Sequence, residues 1–227
     1  MQKNDIVAAG VCAAAFGGLL AAPGALDGFI RLTAAHPYAM SFIKFAVLAT
    51  FGECIALRIT TGVYNRPGFG LVPKAVVWGF LGMLINVAFT VYGGGTPRLL
   101  AGLGLLSPDA AGFGARLLTA FAVSVLLNSL FAPVLMLAHK LTDLHIAAGG
   151  GTLSGLCRRP DVAALLRAVD WNVMWGFVLR KTIPLFWIPA HTITFMLPVH
   201  FRVLFAALLG VALGVILAFA GLRAGKA

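Results

Sequence analysis

The sequence predicts an all-α fold: a polytopic helical membrane protein with about six transmembrane helices and one amphipathic helix at the membrane interface. Of the 227 residues, 60% are hydrophobic and only 11% are charged, whereas a soluble domain carries roughly 25% charged residues. Mean hydropathy is +0.97, and apolar runs recur at about the 20 residues that a helix needs to cross a bilayer. We therefore expect a single transmembrane helical domain over residues 1–227.

The stretch Lys181–Arg202 has the clearest pattern. It is apolar and aromatic, and 20 residues lie between its basic ends, which is about 30 Å of helix and the thickness of a hydrocarbon core. Because proline lacks an amide donor and kinks a helix, we expect a kinked membrane span. The prolines concerned are Pro184, Pro189 and Pro198.

The chain begins with an apolar run, Ile6–Ala22, that is rich in alanine and glycine. Small residues suit close helix packing, so we expect an extra N-terminal helix over residues 6–24 that is retained in the protein. A secretory signal peptide is the alternative, because small residues cluster at the end of the run. A short connection, Leu26–Pro37, then leads to the second span, Tyr38–Thr60.

The second span contains Glu53, the only glutamate of the chain. A charge at the centre of a bilayer costs about 2.5–3.5 kcal/mol on insertion scales, so such a residue normally faces a partner inside the helix bundle. Arg58 lies five residues on, where it faces another direction. By depth we expect Arg180 or Lys181 as the partner, rather than Arg202 at the opposite boundary. A role in a solute pathway and a structural ion pair or protonated carboxyl remain alternatives.

The next two spans each contain an asparagine in their middle. We expect the third span at Lys74–Tyr92, ended by three glycines and a proline, and the fourth at Arg116–Ala138. The asparagines are Asn86 and Asn128. Such amides usually hydrogen-bond between helices, and the lining of a water-filled cavity is the alternative.

A polar connection, Lys140–Ala168, follows, and from Val162 the apolar residues recur at helical spacing. That spacing predicts an amphipathic helix at the interface, and the last span is Val203–Leu222. Small residues are expected at close helix contacts and prolines at kinks. These positions are Gly52, Gly79, Gly82, Gly210 and Gly214, with Pro133, Pro184, Pro189 and Pro198.

Basic residues are divided unequally between the two sides of the six predicted spans. There are 12 on the side of the N-terminus, namely Lys3, Arg58, Arg66, Lys74, Lys140, Arg158, Arg159, Arg167, Arg180, Lys181, Arg223 and Lys226. The other side has 4, namely Arg31, Arg98, Arg116 and Arg202. Because Lys and Arg concentrate on the cytoplasmic side, we expect both termini there. The membrane would be the cytoplasmic membrane of a prokaryote or an organellar membrane of a eukaryote.

The remaining motifs argue against several classes of function. The net charge of +10 comes from basic residues placed singly between apolar runs, without the aromatic platform of a nucleic-acid binder. Three distant cysteines form no CxxC pair, and the histidines lack the spacing of metal ligands. We expect no enzyme activity, no cofactor and no metal. The candidates for buried polar or pathway positions are Glu53, Arg58, Asn86, Asn128, Arg180, Lys181, His191 and Arg202.

Five short motifs occur in a characteristic order. They are His36-Pro37-Tyr38, Gly52-Glu53, Gly79-x-x-Gly82, Ala132-Pro133 and the closing segment 197–202, Leu-Pro-Val-His-Phe-Arg. Together they resemble the family of the peroxisomal twenty-two-kilodalton membrane protein and the mitochondrial inner-membrane protein Mpv-seventeen. The likeness covers about residues 30–222, and the closing motif is its specific part. Leu127-Asn128 stands where the family has an acid–amide pair.

The resemblance implies a pore or channel for small solutes. We expect a membrane pore, channel or transporter for small metabolites or ions, whose partners are the lipid bilayer and a small-molecule solute. A homo-oligomer is compatible with this expectation. The alternative is a structural or regulatory integral membrane protein without a solute pathway, in which Glu53 would be a buried and paired carboxylate.

Overall fold

The computed structural model describes residues 3–107 and 109–224, and within these ranges the chain forms helices and no strand. This confirms the all-α prediction. Contacts between residues divide the chain into two compact units at Met40–Ser41. In the first unit, α1 spans Lys3–Ala21 and α2 spans Ala25–Ala35. Lys226, which contributes to the charge count above, lies outside the described residues.

Four helices among the described residues are long and apolar enough to cross a membrane. They are α3 (Pro37–Thr61), α4 (Leu71–Gly102), the run Phe113–Ala148 and α11 (Val199–Ala224). Large apolar side chains are exposed along all four, which suits a lipid environment better than water. Examples are Ile43, Val47, Phe80, Leu84, Phe121, Leu130, Ile216 and Phe219. These features indicate an integral membrane protein.

Two helices are longer than the sequence analysis predicted. Helix α4 does not end at Tyr92 but continues through three glycines and Pro97 to Gly102. A helix tolerates glycine at a cost of about 1 kcal/mol per residue, so these residues do not end it. The run Phe113–Ala148 likewise takes up the start of the predicted polar connection.

The run Phe113–Ala148 contains a widened turn directly before a proline. It comprises α5 (Phe113–Leu126), a π-helical segment at Leu127–Phe131 and α6 (Ala132–Ala148). Pro133 stands at the start of α6. Because a proline ring clashes with the carbonyl four residues back, a π-helical turn accommodates it without ending the helix.

The predicted span Lys181–Arg202 is wrong in both boundaries. The helical path begins earlier, with α9 (Trp171–Val173), a π-helical segment at Met174–Trp187 and α10 (Ile188–Met196). It breaks at Leu197, whose ψ of 155° is extended, because the residue before a proline avoids the helical region. Arg202 therefore lies in the first turn of α11 rather than at the end of this span.

The predicted amphipathic helix is also shorter than expected. Helix α8 covers only Val162–Arg167, after a single turn, α7, at Leu153–Leu156. Asp161 caps α8 by accepting a hydrogen bond from the Ala164 amide. Asp170 in turn accepts from the amides of the residues at the start of α9, so the chain begins a new helix there.

An apolar core lies in the middle of the second unit. Its side chains come from α3, α4, α5, the π-helical segment at Leu127–Phe131, α10 and α11, and α10 packs along α5. The largest contributors are Phe45, Ile85, Phe89, Val123, Leu127 and Phe195.

Glycines set the distance between α3 and two of its neighbours. A Cβ atom on Gly82 would lie 2.5 Å from the Phe45 Cβ, and one on Gly79 would collide with the Phe42 ring. A Cβ on Gly52 would lie 3.0 Å from the Val211 Cα on α11. A Cβ on Gly214 would lie 3.7 Å from the Gly52 carbonyl oxygen.

The prediction of a helix contact at Gly210 is wrong. A Cβ atom added there meets no atom within 4 Å. The spacing Gly210-x-x-x-Gly214 places both glycines near one face, but only Gly214 is opposite α3.

Candidate functional site

A cluster of charged side chains lies between α3, α4 and α6. Lys74 Nζ is 2.6 Å from Glu53 Oε2, and it also forms an ion pair with Asp143 Oδ1. His139 Nε2 lies 3.3 Å from Glu53 Oε1 and 3.9 Å from Asp143 Oδ2. Glu53, Lys74, His139 and Asp143 are hereafter the charged cluster.

Helical spacing brings these groups together. His139 and Asp143 are four residues apart on α6, so they project from one face. Lys74 and Trp78 have the same spacing on α4, and Trp78 Nε1 donates a hydrogen bond of 2.6 Å to Glu53 Oε1. The Trp78 and His139 rings lie 4.2 Å apart between centroids. Glu53 thus meets a cation, an indole N–H and an imidazole.

The side chains of the charged cluster are partly exposed. The exposed fractions of its side chains are 11% for Lys74, 22% for Glu53, 26% for His139 and 30% for Asp143. Lys74 lies in the first turn of α4, and Asp143 lies near the end of α6. The cluster therefore lies near one end of the helix bundle and is partly exposed.

Three members of the cluster have the donor atoms of a metal site. Ligand atoms of Glu53, His139 and Asp143 all lie within 4.8 Å of one another. The Lys74 ammonium already bridges the two carboxylates, so a metal ion would have to displace it. The arrangement therefore brings two carboxylates, an ammonium group and an imidazole into mutual contact.

A second polar group lies buried in the helix bundle. Asn128 Nδ2 donates to the Ser124 carbonyl at 2.8 Å, and the Asn128 amide lies 3.0 Å from His191 Nδ1. The Ser124 hydroxyl donates to the Ile188 carbonyl at 2.7 Å. Ser124, Asn128 and His191, all buried, are hereafter the inner polar cluster.

Both proline-associated π-helical segments contribute to the inner polar cluster. Asn128 lies within the first segment, and His191 follows the second by one turn. The Ile188 amide donates to the Ile183 carbonyl five residues back, which is the π-helical register. π-Helical turns are frequent at functional sites. The expected role of Asn128 in joining helices matches the contact that it makes with α10.

The predicted cation partner of Glu53 is wrong. Arg180 and Lys181 are exposed on the second π-helical segment, and in the described residues neither forms an ion pair. Arg58 donates instead to the Gly62 carbonyl and lies over the Tyr64 ring. The partner is Lys74, which the sequence analysis placed only at the boundary of a span.

The other predicted polar residues lie apart from the charged cluster. Asn86 is half-buried on α4. Arg202 donates from Nε to the Leu197 carbonyl at 3.0 Å and from Nη2 to the Phe195 carbonyl at 3.1 Å. It lies at the opposite end of the bundle from the cluster.

Sequence reasoning missed Lys74, Trp78, His139 and Asp143. The signal that could have found them is the paired spacing of four residues, on α4 and on α6. The pattern His139-x-x-x-Asp143 places an imidazole and a carboxylate on one helix face, although nothing in the sequence says that this face meets Glu53.

Comparisons with protein-family models, with curated proteins and with solved structures find no match to this chain. The resemblance to the family of the peroxisomal twenty-two-kilodalton membrane protein therefore stays a prediction from the motifs.

Proposed function

We propose that the chain forms a pore, channel or transporter for small metabolites or ions, with the charged cluster on the solute pathway. The observation that carries this proposal is the partial exposure of four ionisable side chains between apolar helices. Ionisable groups inside membrane bundles normally mark a solute or ion pathway.

Polar groups at three levels along one helical run support the proposal. Arg116 stands near the start of α5, Asn128 in the π-helical segment and Asp143 near the end of α6. They span about 40 Å of helix. The inner polar cluster adjoins the apolar core, where Leu127 is fully buried next to Asn128 and the Phe89 ring contacts His191. Solute passage would require this core to open, as hydrophobic constrictions do in gated channels.

We propose the finer topology on the basis of charge. Six spans with both termini in the cytoplasm put 12 basic residues on the cytoplasmic side against 4 on the other. In this arrangement the charged cluster lies at the cytoplasmic end. The membrane is then the cytoplasmic membrane of a prokaryote or an organellar membrane of a eukaryote, as the family resemblance also implies.

Flux through proteoliposomes tests the function. We expect purified protein to pass small ions, with potassium, chloride and pyruvate as probes. Glu53→Gln should lower the ratio of potassium to chloride flux by about thirtyfold, because a unit charge at 4 Å in water favours the cation and disfavours the anion by about 1 kcal/mol each.

Arg180→Gln is the matched control, since Arg180 is exposed and lies outside the cluster. It should leave the flux ratio unchanged. Liposomes with folded protein but no flux above that of empty liposomes would refute the function.

A structural role is the second candidate, and one specific observation favours it. Every ionisable group of the charged cluster has an oppositely charged or hydrogen-bonding partner from another helix. Such a network can hold α3, α4 and α6 together without passing anything. Glu53→Gln would then lower the melting temperature and leave any flux unchanged, because removing one partner leaves the other charge unpaired.

A further inference from the structure

A cavity of about 370 Å³ opens at the end of the bundle opposite the charged cluster. It lies among α4, α5, α10 and α11, and its basic lining residues are Arg116 and Arg202. Among the described residues that line it there is no carboxylate. Its volume falls within the range of roughly 300–1,000 Å³ typical of small-ligand pockets.

The two arginines are held toward the cavity by the same short segment. Arg202 donates to the Phe195 and Leu197 carbonyls, and Arg116 Nη2 lies 3.4 Å from the Met196 carbonyl oxygen. These carbonyls end α10, where the helix leaves acceptors unpaired. The Arg202 guanidinium also lies 5.3 Å from the centre of the Phe195 ring. The Arg202 guanidinium is therefore positioned before any ligand arrives, and the exposed Arg116 lies beside it with a single long contact.

Donor groups remain available after these contacts. A guanidinium has five N–H groups, and the bonds to the α10 carbonyls use the Nε and Nη2 atoms of Arg202. Arg202 Nη1 lies 3.9 Å from where a Cβ of Gly93 would be. Gly93, which also lines the cavity, thus leaves the space beside Nη1 open.

We propose that this cavity binds a phosphate group. The guanidinium groups of Arg116 and Arg202 are both positively charged, and no carboxylate among the described lining residues offsets them. A phosphate can accept hydrogen bonds from both groups at once. The phosphate belongs either to a soluble anion or to the headgroup of an anionic lipid, since the cavity lies at the end of apolar helices. The site exists whether or not the chain passes a solute.

Binding to the purified full-length protein tests this site with two probes. The first is inorganic phosphate, followed by melting temperature in detergent against sodium chloride of equal ionic strength. The second is phosphatidylglycerol against phosphatidylcholine, followed by native mass spectrometry of the protein with retained lipid. We expect at least one probe to bind, phosphate if the natural ligand is soluble and phosphatidylglycerol if it is a lipid.

Three variants locate the binding. Arg116→Gln and Arg202→Gln should each weaken it by at least tenfold. Gly93→Leu should do the same by filling the space beside Nη1 without changing any charge. Arg98→Gln is the control, because Arg98 is exposed near the same end of the bundle but does not line the cavity, and it should change binding less than twofold.

Two results would overturn the proposal: no binding of either probe, or an equal loss in Arg98→Gln, which would mean unspecific attraction by surface charge. If Arg202→Gln does not fold, because it uncaps α10, Arg116→Gln and Gly93→Leu still decide the matter.

Discussion

Lys74 pairs with both carboxylates of the charged cluster, so its removal affects two groups at once. Losing one partner of a fully buried pair costs about 3–5 kcal/mol. The Glu53 side chain is 22% exposed and the Asp143 side chain is 30% exposed, so the cost here is smaller. The energetic role of Lys74 does not depend on whether the cluster also contacts a solute.

We expect Lys74→Gln to destabilise the folded protein by about 2 kcal/mol, because it leaves two neighbouring carboxylates without their shared cation. Melting in detergent, followed by intrinsic fluorescence, measures the effect. Adding Glu53→Gln should recover part of the loss. Arg180→Gln serves as the control and should melt like the parent. If Arg180→Gln lowered the melting temperature as much as Lys74→Gln does, the pairing of Lys74 with the two carboxylates would be contradicted.

At the scale of single residues, the sequence predicts that Glu53 needs a partner, but it does not predict which residue that partner is. A lone glutamate in an apolar span must be paired, and Glu53 is paired. The choice of Lys74 over Arg180 or Lys181 depends on how α4 packs against α3. That packing follows from Gly79 and Gly82 facing two phenylalanines, a three-dimensional contact that spacing along one helix does not contain.

At the scale of helices, prolines and glycines act differently from what their propensities suggest. Pro133 and Pro189 do not end their helices but follow π-helical segments. Pro198, preceded by an extended residue, does separate two helices. Local sequence predicted a kink or an end at each proline, but it did not distinguish the two. The difference lies in whether neighbouring helices hold the chain in a helical path.

We expect Gly82→Ala to be destabilising by about 1–3 kcal/mol, the usual cost of overpacking, since its Cβ would lie 2.5 Å from the Phe45 Cβ. Gly94→Ala on the same helix is the matched control, because an added Cβ there meets nothing within 4 Å. It should be neutral or stabilising, as alanine favours helix by about 1 kcal/mol over glycine. Melting temperatures of both variants provide the comparison. If Gly82→Ala and Gly94→Ala melted at the same temperature, the close contact between α3 and α4 would not lie at Gly82.

At the scale of the whole molecule, composition alone was sufficient for the class of protein. A charged fraction of 11% cannot cover a water-facing surface, and four described helices have the length and apolarity of spans. The number of spans was harder to predict. The chain from Trp171 to Met196 is interrupted by a wide π-helical segment, so length and hydropathy do not identify it as one regular span.

The proposed topology makes a side-specific prediction. Cys157 is exposed in the loop after α7, on the proposed cytoplasmic side. With Cys12 and Cys54 replaced by serine, a membrane-impermeant maleimide should leave Cys157 unlabelled in intact cells. Ser107→Cys, with the other cysteines removed, lies beyond α4 and should label. The reverse pattern would invert the topology.

The most direct test of the central claim, that the charged cluster lies on a solute pathway, is chemical modification of the cluster itself. In a cysteine-free background, His139→Cys places a thiol where the wild-type side chain is 26% exposed. A methanethiosulfonate reagent with a charged head group should react with it in proteoliposomes and reduce ion flux by most of its value. Reducing agent should restore the flux. Complete modification with unchanged flux would contradict the claim and leave the cluster a structural link between helices.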